Sequence, residues 1–284
     1  MLRKILTVLE MIKFQHTIFA LPFAVVGAAY AAGGWPRPAT CLWILGAMVG
    51  ARSAAMTFNR IADARFDAAN PRTAGRALPR GLISGRFAAR FLVASLALFF
   101  LSAGMLNETV LLLASPAAIV ILGYSLTKRV TALTHFVLGL SLALAPLGAW
   151  LAIRPDELAV FPLLLAGGVL FWVAGFDILY ACEDADFDRG AGLKSIPAAF
   201  GVPAALRIAS LCHAAALAFF GAPLLLGLKG WYAGAVAAAS LLILYEHAIV
   251  RPDDLRRVNR AFFHVNAVVS VALAAGALAE LALK

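Results

Sequence analysis

Two segments of the chain carry acidic side chains at the spacing of a helical turn. The first acidic motif contains, four residues apart, Asn59, Asp63 and Asp67. The second acidic motif contains, at spacings of three, four and four residues, Asp177, Tyr180, Asp184 and Asp188. Residues three or four apart lie on one face of an α-helix. Each motif therefore predicts a helix face that presents oxygen atoms.

Oxygen atoms grouped in this way predict a site for a hard divalent cation. Like charges four residues apart destabilise a helix by roughly a few tenths of a kcal/mol, and charges buried in a bilayer cost more. A divalent cation removes both penalties. Oxygen ligands alone favour Mg²⁺ or Ca²⁺, and Mg²⁺ commonly bridges one or two carboxylates to substrate phosphates. A solvated helix end paired with nearby arginines is the alternative for either motif alone. The metal site is favoured because Asp63 and Asp184 lie 121 positions apart (184 − 63), as do Asp67 and Asp188 (188 − 67).

The composition indicates that lipid is the main solvent of this chain. Hydrophobic residues make up 63% of the 284 positions and charged residues 14%, whereas soluble domains carry about 25% charged residues. A soluble isoprenyl synthase is excluded, although its acidic chemistry is similar. The net charge of +9 is attributed to membrane topology, because no basic stripe lies on a soluble domain. We expect membrane lipid and no nucleic acid among the partners.

Nine segments are apolar over the length of about 20 residues that a helix needs to span a bilayer. They lie near residues 14–33, 41–59, 87–106, 109–127, 134–153, 158–180, 203–226, 231–250 and 262–283. The repeated spacing of the acidic motifs indicates an internal duplication. We therefore predict an all-α polytopic membrane protein that forms one domain over residues 1–284. Its helices are expected to form two four-helix repeats followed by a final helix.

The distribution of basic residues predicts the orientation of these helices. Of the 24 Lys and Arg residues, 19 lie in the N-terminal arm or after even-numbered spans, and four lie on the opposite side. Cytoplasmic loops are the ones enriched in Lys and Arg. We expect a protein of the cell (inner) membrane whose N-terminus is cytoplasmic. The long loops 60–86 and 181–202 and the active site would then face the cytoplasm.

Around the acidic motifs, the sequence resembles the UbiA family of intramembrane prenyltransferases. Asn59 to Gly81 (NRIADARFDAANPRTAGRALPRG) is similar to the family pattern N-D-x-x-D-x-x-x-D with a trailing R-T-x-x-R-x-L-P-x-G. Asp177 to Ser195 (DILYACEDADFDRGAGLKS) is similar to its D-x-x-Y-A-x-x-D-x-x-x-D-x-x-x-G-x-K-S. The resemblance covers nearly the whole chain. It departs from the family at Arg60, where many members have Asp, and this leaves the number of Mg²⁺ ions at the first motif open.

The resemblance implies a nine-helix bundle with a cavity open sideways to lipid, and Mg²⁺-dependent transfer of a polyprenyl group from a polyprenyl diphosphate. The acceptor would be an aromatic hydroxy acid in quinone biosynthesis. Ile12 to Ala24 (IKFQHTIFALPFA) resembles the 4-hydroxybenzoate branch. Within the family, 1,4-dihydroxy-6-naphthoate for menaquinone, a haem or a lipid are alternative acceptors. A secondary transporter is a distant alternative, because transporters place their charges near the midplane.

The reaction that this resemblance implies assigns roles to the residues of both motifs. Five oxygen ligands would hold Mg²⁺: Asn59, Asp63, Asp67, Asp184 and Asp188. Four of these, with Asp177, are the predicted catalytic carboxylates. Basic side chains suited to phosphate geometry would hold the diphosphate, namely Arg72, Arg76, Lys128, Arg129 and Lys194.

Arg52 is the basic residue predicted to bind the acceptor. It precedes Asn59 by seven positions, about 10 Å deeper on the same helix face, and an arginine within a membrane span is a candidate functional residue. We expect it to bind the acceptor carboxylate or to orient Asp177; a buried Arg–Asp pair is the structural alternative. Three further acceptor-binding residues are proposed, for which interfacial placement or simple packing are alternatives: Lys13, His16 and Tyr180.

Overall fold

The computed structural model describes the backbone of residues 2–283, without the side chains of residues 2–5 and 260. Three basic residues counted toward the orientation, Arg3, Lys4 and Arg260, thus have side chains outside the described part, as does Lys284. The α-helices are α1 (Leu2–Met11), α2 (Leu21–Ala32), α3 (Pro38–Ala69), α4 (Gly85–Leu106), α5 (Glu108–Thr127), α6 (Thr134–Leu151), α7 (Val160–Ala181), α8 (Ala185–Gly190), α9 (Ile196–Phe200), α10 (Val202–Gly221), α11 (Gly230–Ile249), α12 (Val258–Arg260) and α13 (Asn266–Ala282). This confirms the predicted all-α class.

Nine helical segments among the described residues are long and apolar enough to cross a membrane, which confirms the predicted number of spans. Their outward surfaces are apolar as well. On α5, for example, Leu112 is 74% exposed and Ile119 is 73% exposed. Large side chains left uncovered in this way are stable in lipid, where no apolar surface meets water. The chain is therefore an integral membrane protein.

One compact unit of the chain comprises Met1–Thr17 and Pro38–Leu126. Within it α3 packs along α4, and small residues allow a close approach. A Cβ at Gly50 would lie 2.8 Å from the carbonyl oxygen of Ser95, and one at Gly46 would lie 2.6 Å from the Ser102 hydroxyl. Small residues are typical of membrane helix interfaces, because lipid provides no hydrophobic force between helices.

The second compact unit comprises Ile18–Arg37 and Thr127–Lys284. Helix α7 is its most enclosed helix and packs against α6 and α10. Trp172, Ile178 and Leu179 of α7 are each 0% exposed. Helix α2 packs on α6 and α13 in this unit, so the first span groups with the later helices.

Replacing Gly139 of α6 by alanine is expected to destabilise the second unit by about 1–3 kcal/mol. The added Cβ would collide with the backbone carbonyl of Leu170 on α7, which cannot move away as a flexible side chain can. Thermal unfolding in detergent measures the effect. Gly148→Ala on the same helix is the matched control, because nothing lies within 4 Å of its added Cβ. Equal unfolding temperatures of the two variants would contradict the close helix contact.

Candidate active site

The first acidic motif lies on one continuous helix. Helix α3 runs to Ala69, ten residues beyond the predicted end of its span at residue 59. Asn59, Asp63 and Asp67 therefore occupy its last turns, and the predicted loop 60–86 begins only at Asn70. The correction has a simple cause: no glycine or proline interrupts the segment before Pro71, and the residue before a proline disfavours the α conformation.

Side chains of the first motif form a chain of charged contacts. The Asn59 amide donates a hydrogen bond to Asp63 Oδ2 at 2.9 Å, and Arg60 Nη1 donates to Asn59 Oδ1 at 3.2 Å. Asp67 lies between two guanidinium groups, with Arg76 Nη1 at 2.6 Å from Oδ1 and Arg60 Nη1 at 3.9 Å from Oδ2. The residue that departs from the family pattern thus places a buried cation inside the motif.

Two arginines of α3 reach backbone carbonyls at the end of α1. Arg60 Nε donates to the Met11 carbonyl at 3.3 Å, and Arg52 Nη2 donates to the Lys13 carbonyl at 3.4 Å. Lys13 has a φ of 48°, a left-handed conformation that is uncommon outside glycine. Arg52 Nε is buried without a hydrogen-bond partner. Among the described residues of its own unit, Arg52 forms no ion pair with a carboxylate.

The second acidic motif is divided between three helical segments. Helix α7 ends at Ala181, a 3₁₀ turn covers Cys182–Asp184, and α8 follows. The single continuous α-helical face predicted for Asp177 to Asp188 is therefore wrong in detail. A 3₁₀ turn has 3.0 residues per turn instead of 3.6, so it rotates the side chains after it relative to those of α7.

Asp188 is buried at the centre of the second motif's charged contacts. Lys128 Nζ lies 3.0 Å from its Oδ1 and 2.9 Å from its Oδ2, and Ser195 Oγ donates to Oδ2 at 2.9 Å. The backbone amide of Lys194 donates to the Lys128 carbonyl at 2.6 Å. Its ammonium group donates to the Val130 carbonyl at 3.1 Å. In both motifs the last aspartate is thus paired with a basic side chain.

Asp177 has a partner that the sequence interpretation missed. His135 Nδ1 lies 2.7 Å from Asp177 Oδ2, and the backbone amide of Ile196 donates to His135 Nε2 at 3.3 Å. Because Nε2 accepts this hydrogen bond, the neutral imidazole carries its proton on Nδ1 and donates it to the carboxylate. No local spacing signals this pair, since 42 residues separate the two side chains.

The structure divides the predicted site residues between the two compact units. The first unit contains Lys13, His16, Arg52, Asn59, Asp63, Asp67, Arg72 and Arg76. The second contains Lys128, Arg129, Asp177, Tyr180, Asp184, Asp188 and Lys194. Arg72 follows α3, and its amide donates to Asn70 Oδ1 at 2.9 Å. Arg129 lies between α5 and α6, His16 lies in a 3₁₀ turn over Phe14–Phe19, and Tyr180 stacks on Phe262.

The sequence that contains these motifs matches one known protein family. The model of the UbiA prenyltransferase family matches residues 20–268, which include both acidic motifs. The chain belongs to this family. The resemblance in the motif sequences is thereby confirmed.

Several UbiA relatives are similar over most of their length. The chain is 33% identical over 249 residues to a 4-hydroxybenzoate octaprenyltransferase of Idiomarina loihiensis, covering 87% of this chain and 85% of the relative. It is 33% identical over 253 residues to the enzyme of the same name from Nitrosomonas eutropha, covering 87% and 86%. Among solved structures, an apo UbiA homologue from Aeropyrum pernix has a TM-score of 0.84 at 38% identity, covering 92% of this chain and 96% of that one.

A more distant UbiA homologue, from Archaeoglobus fulgidus, has been solved with DMAPP and Mg²⁺. Its TM-score is 0.74 at 22% identity, covering 98% of this chain and 100% of that one. At this identity the likeness establishes the fold alone. The fold of this chain is thus shared with both structures.

The donor atoms of the first motif fit a magnesium ion that is completed by phosphate oxygens. In the part of the chain that the structure describes, no three His, Cys, Asp or Glu side chains gather closely enough to hold a metal by themselves. Mg²⁺ needs only one or two protein carboxylates beside substrate phosphates and water. Asp63 is in contact with Asn59, and Asp67 Oδ2 is buried without a hydrogen-bond partner. Asn59 Oδ1 accepts from Arg60, so metal binding through this oxygen requires displacing a guanidinium.

Replacing His135 by leucine is expected to lower kcat about 5- to 100-fold, because a buried hydrogen bond to the Asp177 carboxylate is lost. His135→Asn is the matched variant, since its amide can donate from a position close to Nδ1 and should restore most of the rate. Steady-state kinetics of prenyl transfer and thermal unfolding are measured on the same preparations. An equal loss in both variants, following their stability, would show that His135 only fills space.

Proposed function

We propose that this chain transfers a polyprenyl group from a polyprenyl diphosphate to 4-hydroxybenzoate, with Mg²⁺ as cofactor. The observation that carries the proposal is the pairing, in each acidic motif, of the last aspartate with a basic side chain: Asp67 with Arg76 and Asp188 with Lys128. Basic side chains that aspartates hold in place within a membrane protein can bind a negatively charged ligand such as a diphosphate. The 4-hydroxybenzoate octaprenyltransferases that resemble the chain support the choice of acceptor.

The diphosphate would bind through the basic residues of both motifs. Arg76 and Lys128 are held in place by their aspartates before any ligand arrives, so less conformational entropy is lost on binding. The remaining phosphate-binding candidates are Arg72, Arg129 and Lys194. Oxygens of Asn59, Asp63, Asp67, Asp184 and Asp188 would hold Mg²⁺, which would neutralise the negative charge of the leaving diphosphate.

The acceptor carboxylate would bind Arg52, whose Nε has no hydrogen-bond partner. A guanidinium presents parallel N–H groups that match the two oxygens of a carboxylate. Lys13 and His16 lie in the same unit and are proposed to complete this subsite. As the new bond forms between the prenyl C1 and the ring carbon beside the phenolic oxygen, that ring carbon loses a proton. Asp177, oriented by His135, is proposed to accept it.

Apolar side chains of the second unit would keep water away from the reacting prenyl carbon. Phe19 is 3% exposed and Phe176 is 2% exposed, and their rings lie 5.3 Å apart. We propose, as the basic residues indicate, that the N-terminus is cytoplasmic and that the diphosphate enters from that side of the inner membrane.

Prenyl transfer by the purified protein in nanodiscs tests the proposal. The reactions contain a polyprenyl diphosphate and Mg²⁺, with 4-hydroxybenzoate or 1,4-dihydroxy-6-naphthoate as acceptor and EDTA in parallel. We expect prenylated 4-hydroxybenzoate that is absent with EDTA. Product from the naphthoate alone would change the acceptor, and no product from either acid would overturn the proposal.

A further inference from the structure

A short π-helix precedes the last membrane helix. Residues Ala261–Val265 form it, between α12 and α13 in the second unit. A π-helical turn interrupts the regular pattern of hydrogen bonds to the fourth preceding carbonyl, and such turns occur frequently at functional sites. Buried carbonyl groups in such a turn need hydrogen-bond partners, as elsewhere in the chain.

The side chain of Asn266 supplies these partners. Its amide nitrogen donates to the Ala261 carbonyl at 3.1 Å and to the Phe262 carbonyl at 3.3 Å. Trp172 Nε1 donates to Asn266 Oδ1 at 2.6 Å, and the amide nitrogen also donates to Glu246 Oε1 at 2.7 Å. Because an indole nitrogen can only donate, the Asn266 oxygen must face Trp172 and its nitrogen must face the carbonyls.

This polar network is buried and has no role in the reaction as described so far. Trp172, Glu246 and Asn266 are each 0% exposed. Buried polar groups inside a membrane helix bundle are costly, and they usually serve function or fix a specific geometry. The geometry fixed here is that of the π-helix, because two of the four hydrogen bonds end on its carbonyls.

The π-helix places one aromatic ring against the second acidic motif. Phe262 stacks on Tyr180 with ring centroids 4.4 Å apart and an interplanar angle of 27°. The ring of Phe176 lies 5.3 Å from Phe262, and that of Phe19 lies 5.7 Å from it. Tyr180 belongs to the motif between Asp177 and Asp184. Neither Tyr180 nor Phe262 is fully buried, whereas Phe19 and Phe176 are.

We propose that Phe262 and Tyr180 together form the aromatic surface that receives the first isoprene unit of the prenyl diphosphate. The inference rests on the proposed function. In that reaction the bond between C1 and the bridging diphosphate oxygen breaks, and both electrons leave with the diphosphate. The positive charge spreads over the first isoprene unit until C1 bonds to the acceptor ring. The negative face of an aromatic ring attracts a cation that lies over it and so stabilises this charge.

Asn266 acts in this arrangement as a positioning residue. It does not touch the substrate, but it fixes the backbone at Phe262 and thereby the distance of this ring from Tyr180. Glu246 acts indirectly, because it accepts a hydrogen bond from the Asn266 amide nitrogen and so fixes the orientation of that amide. The polar network inside the membrane-spanning helices thereby fixes the position of the Phe262 ring.

Kinetics of Phe262 variants with two substrates of different length test the proposal. With dimethylallyl diphosphate and with geranyl diphosphate, Phe262→Leu is expected to lower kcat by the same factor, about tenfold. The factor is shared because both substrates contain the first isoprene unit. Phe262→Trp keeps an aromatic face and should retain the rate. Phe263→Leu is the comparison variant, because it removes the neighbouring ring of the same π-helix, whose centroid lies 5.9 Å from that of Phe19.

A double-mutant cycle tests the positioning role. Asn266→Leu is expected to reproduce the kcat loss of Phe262→Leu, and the combined variant should show no further loss, because both changes remove one interaction. Glu246→Gln keeps the accepting oxygen and should retain kcat, unlike Glu246→Leu. Additive losses in the double variant would overturn the positioning role. If Asn266→Leu fails to fold, the Phe262 variants still decide the main proposal.

The outcomes separate this inference from the proposed function. No transfer by the wild-type protein would overturn the proposed function itself. An active wild type with an unchanged kcat in Phe262→Leu would overturn the aromatic surface alone. A loss confined to geranyl diphosphate would also overturn it, because Phe262 would then contact the prenyl tail and not the reacting end.

Discussion

Replacing Asp63 by asparagine is expected to lower kcat/KM for prenyl transfer about a hundredfold or more. The substitution keeps the size of the side chain and removes one negative charge from the first acidic motif. A metal ion supplies several kcal/mol of charge stabilisation in a transition state, and each 1.4 kcal/mol corresponds to about tenfold in rate. Asp63 is the sharpest test, because it lies at the centre of the first motif, four residues from both Asn59 and Asp67.

The magnesium requirement is the measurement that makes this result specific. The Mg²⁺ concentration for half-maximal activity should rise in Asp63→Asn, and a diphosphate analogue with Mg²⁺ should raise the unfolding temperature of this variant less than that of the wild type. Asp186→Asn is the matched control. Its side chain is 98% exposed and pairs with Arg189, so activity should change by no more than about twofold. Unchanged Mg²⁺ dependence in Asp63→Asn would refute the metal assignment.

The sequence was sufficient to predict the membrane helices but not all of their ends. Each span was recognised because its apolar run is long enough to cross a bilayer. The predicted end of α3 is ten residues too early, because its apolar run stops near Asn59. The helix itself continues through polar residues to Ala69. Hydropathy reports the surrounding solvent, whereas helix ends depend on Gly, Pro and capping residues. The stop signal in this case was Pro71.

The candidate site was predictable in its carboxylates and not in their partners. The spacing of four residues identifies Asp67 and Asp188 within their own helices. The pairing of Lys128 with Asp188 spans 60 residues and depends on how the segment that contains Lys128 packs against α8. The same holds for His135 and Asp177. Local spacing therefore locates helical motifs, while contacts across helices require the tertiary structure.

Arg60 illustrates how a departure from a family pattern is misjudged without coordinates. From the sequence it meant only that an acidic ligand was missing. In the structure its guanidinium contacts Asn59 Oδ1 and lies 3.9 Å from Asp67 Oδ2. The substitution thus exchanges a negative charge for a positive one at a buried position, where the effective dielectric constant is low and charges act strongly. Arg60 of the protein therefore supplies part of the positive charge that the carboxylates of the first motif need.

Replacing Arg52 by methionine is expected to raise KM for 4-hydroxybenzoate roughly a hundredfold, with a smaller effect on KM for the prenyl diphosphate. Methionine keeps much of the side-chain length and apolar character but cannot bind a carboxylate. Losing one partner of a buried hydrogen-bonded charge pair costs about 2–5 kcal/mol. Initial rates over a range of both substrates separate the two constants. Arg65→Met on the same helix is the matched control, because Arg65 is exposed and should leave KM unchanged.

Phenol, which lacks the carboxylate, completes this test. The wild type should prefer 4-hydroxybenzoate strongly over phenol, and Arg52→Met should lose most of that preference, because the carboxylate no longer has its partner. The difference distinguishes recognition from stability, since a merely destabilised variant would keep the preference in its folded fraction. An Arg52→Met protein that binds 4-hydroxybenzoate as tightly as the wild type would exclude the carboxylate role. The unpartnered Nε of Arg52 would then have to serve the diphosphate, and the KM for that substrate would rise instead.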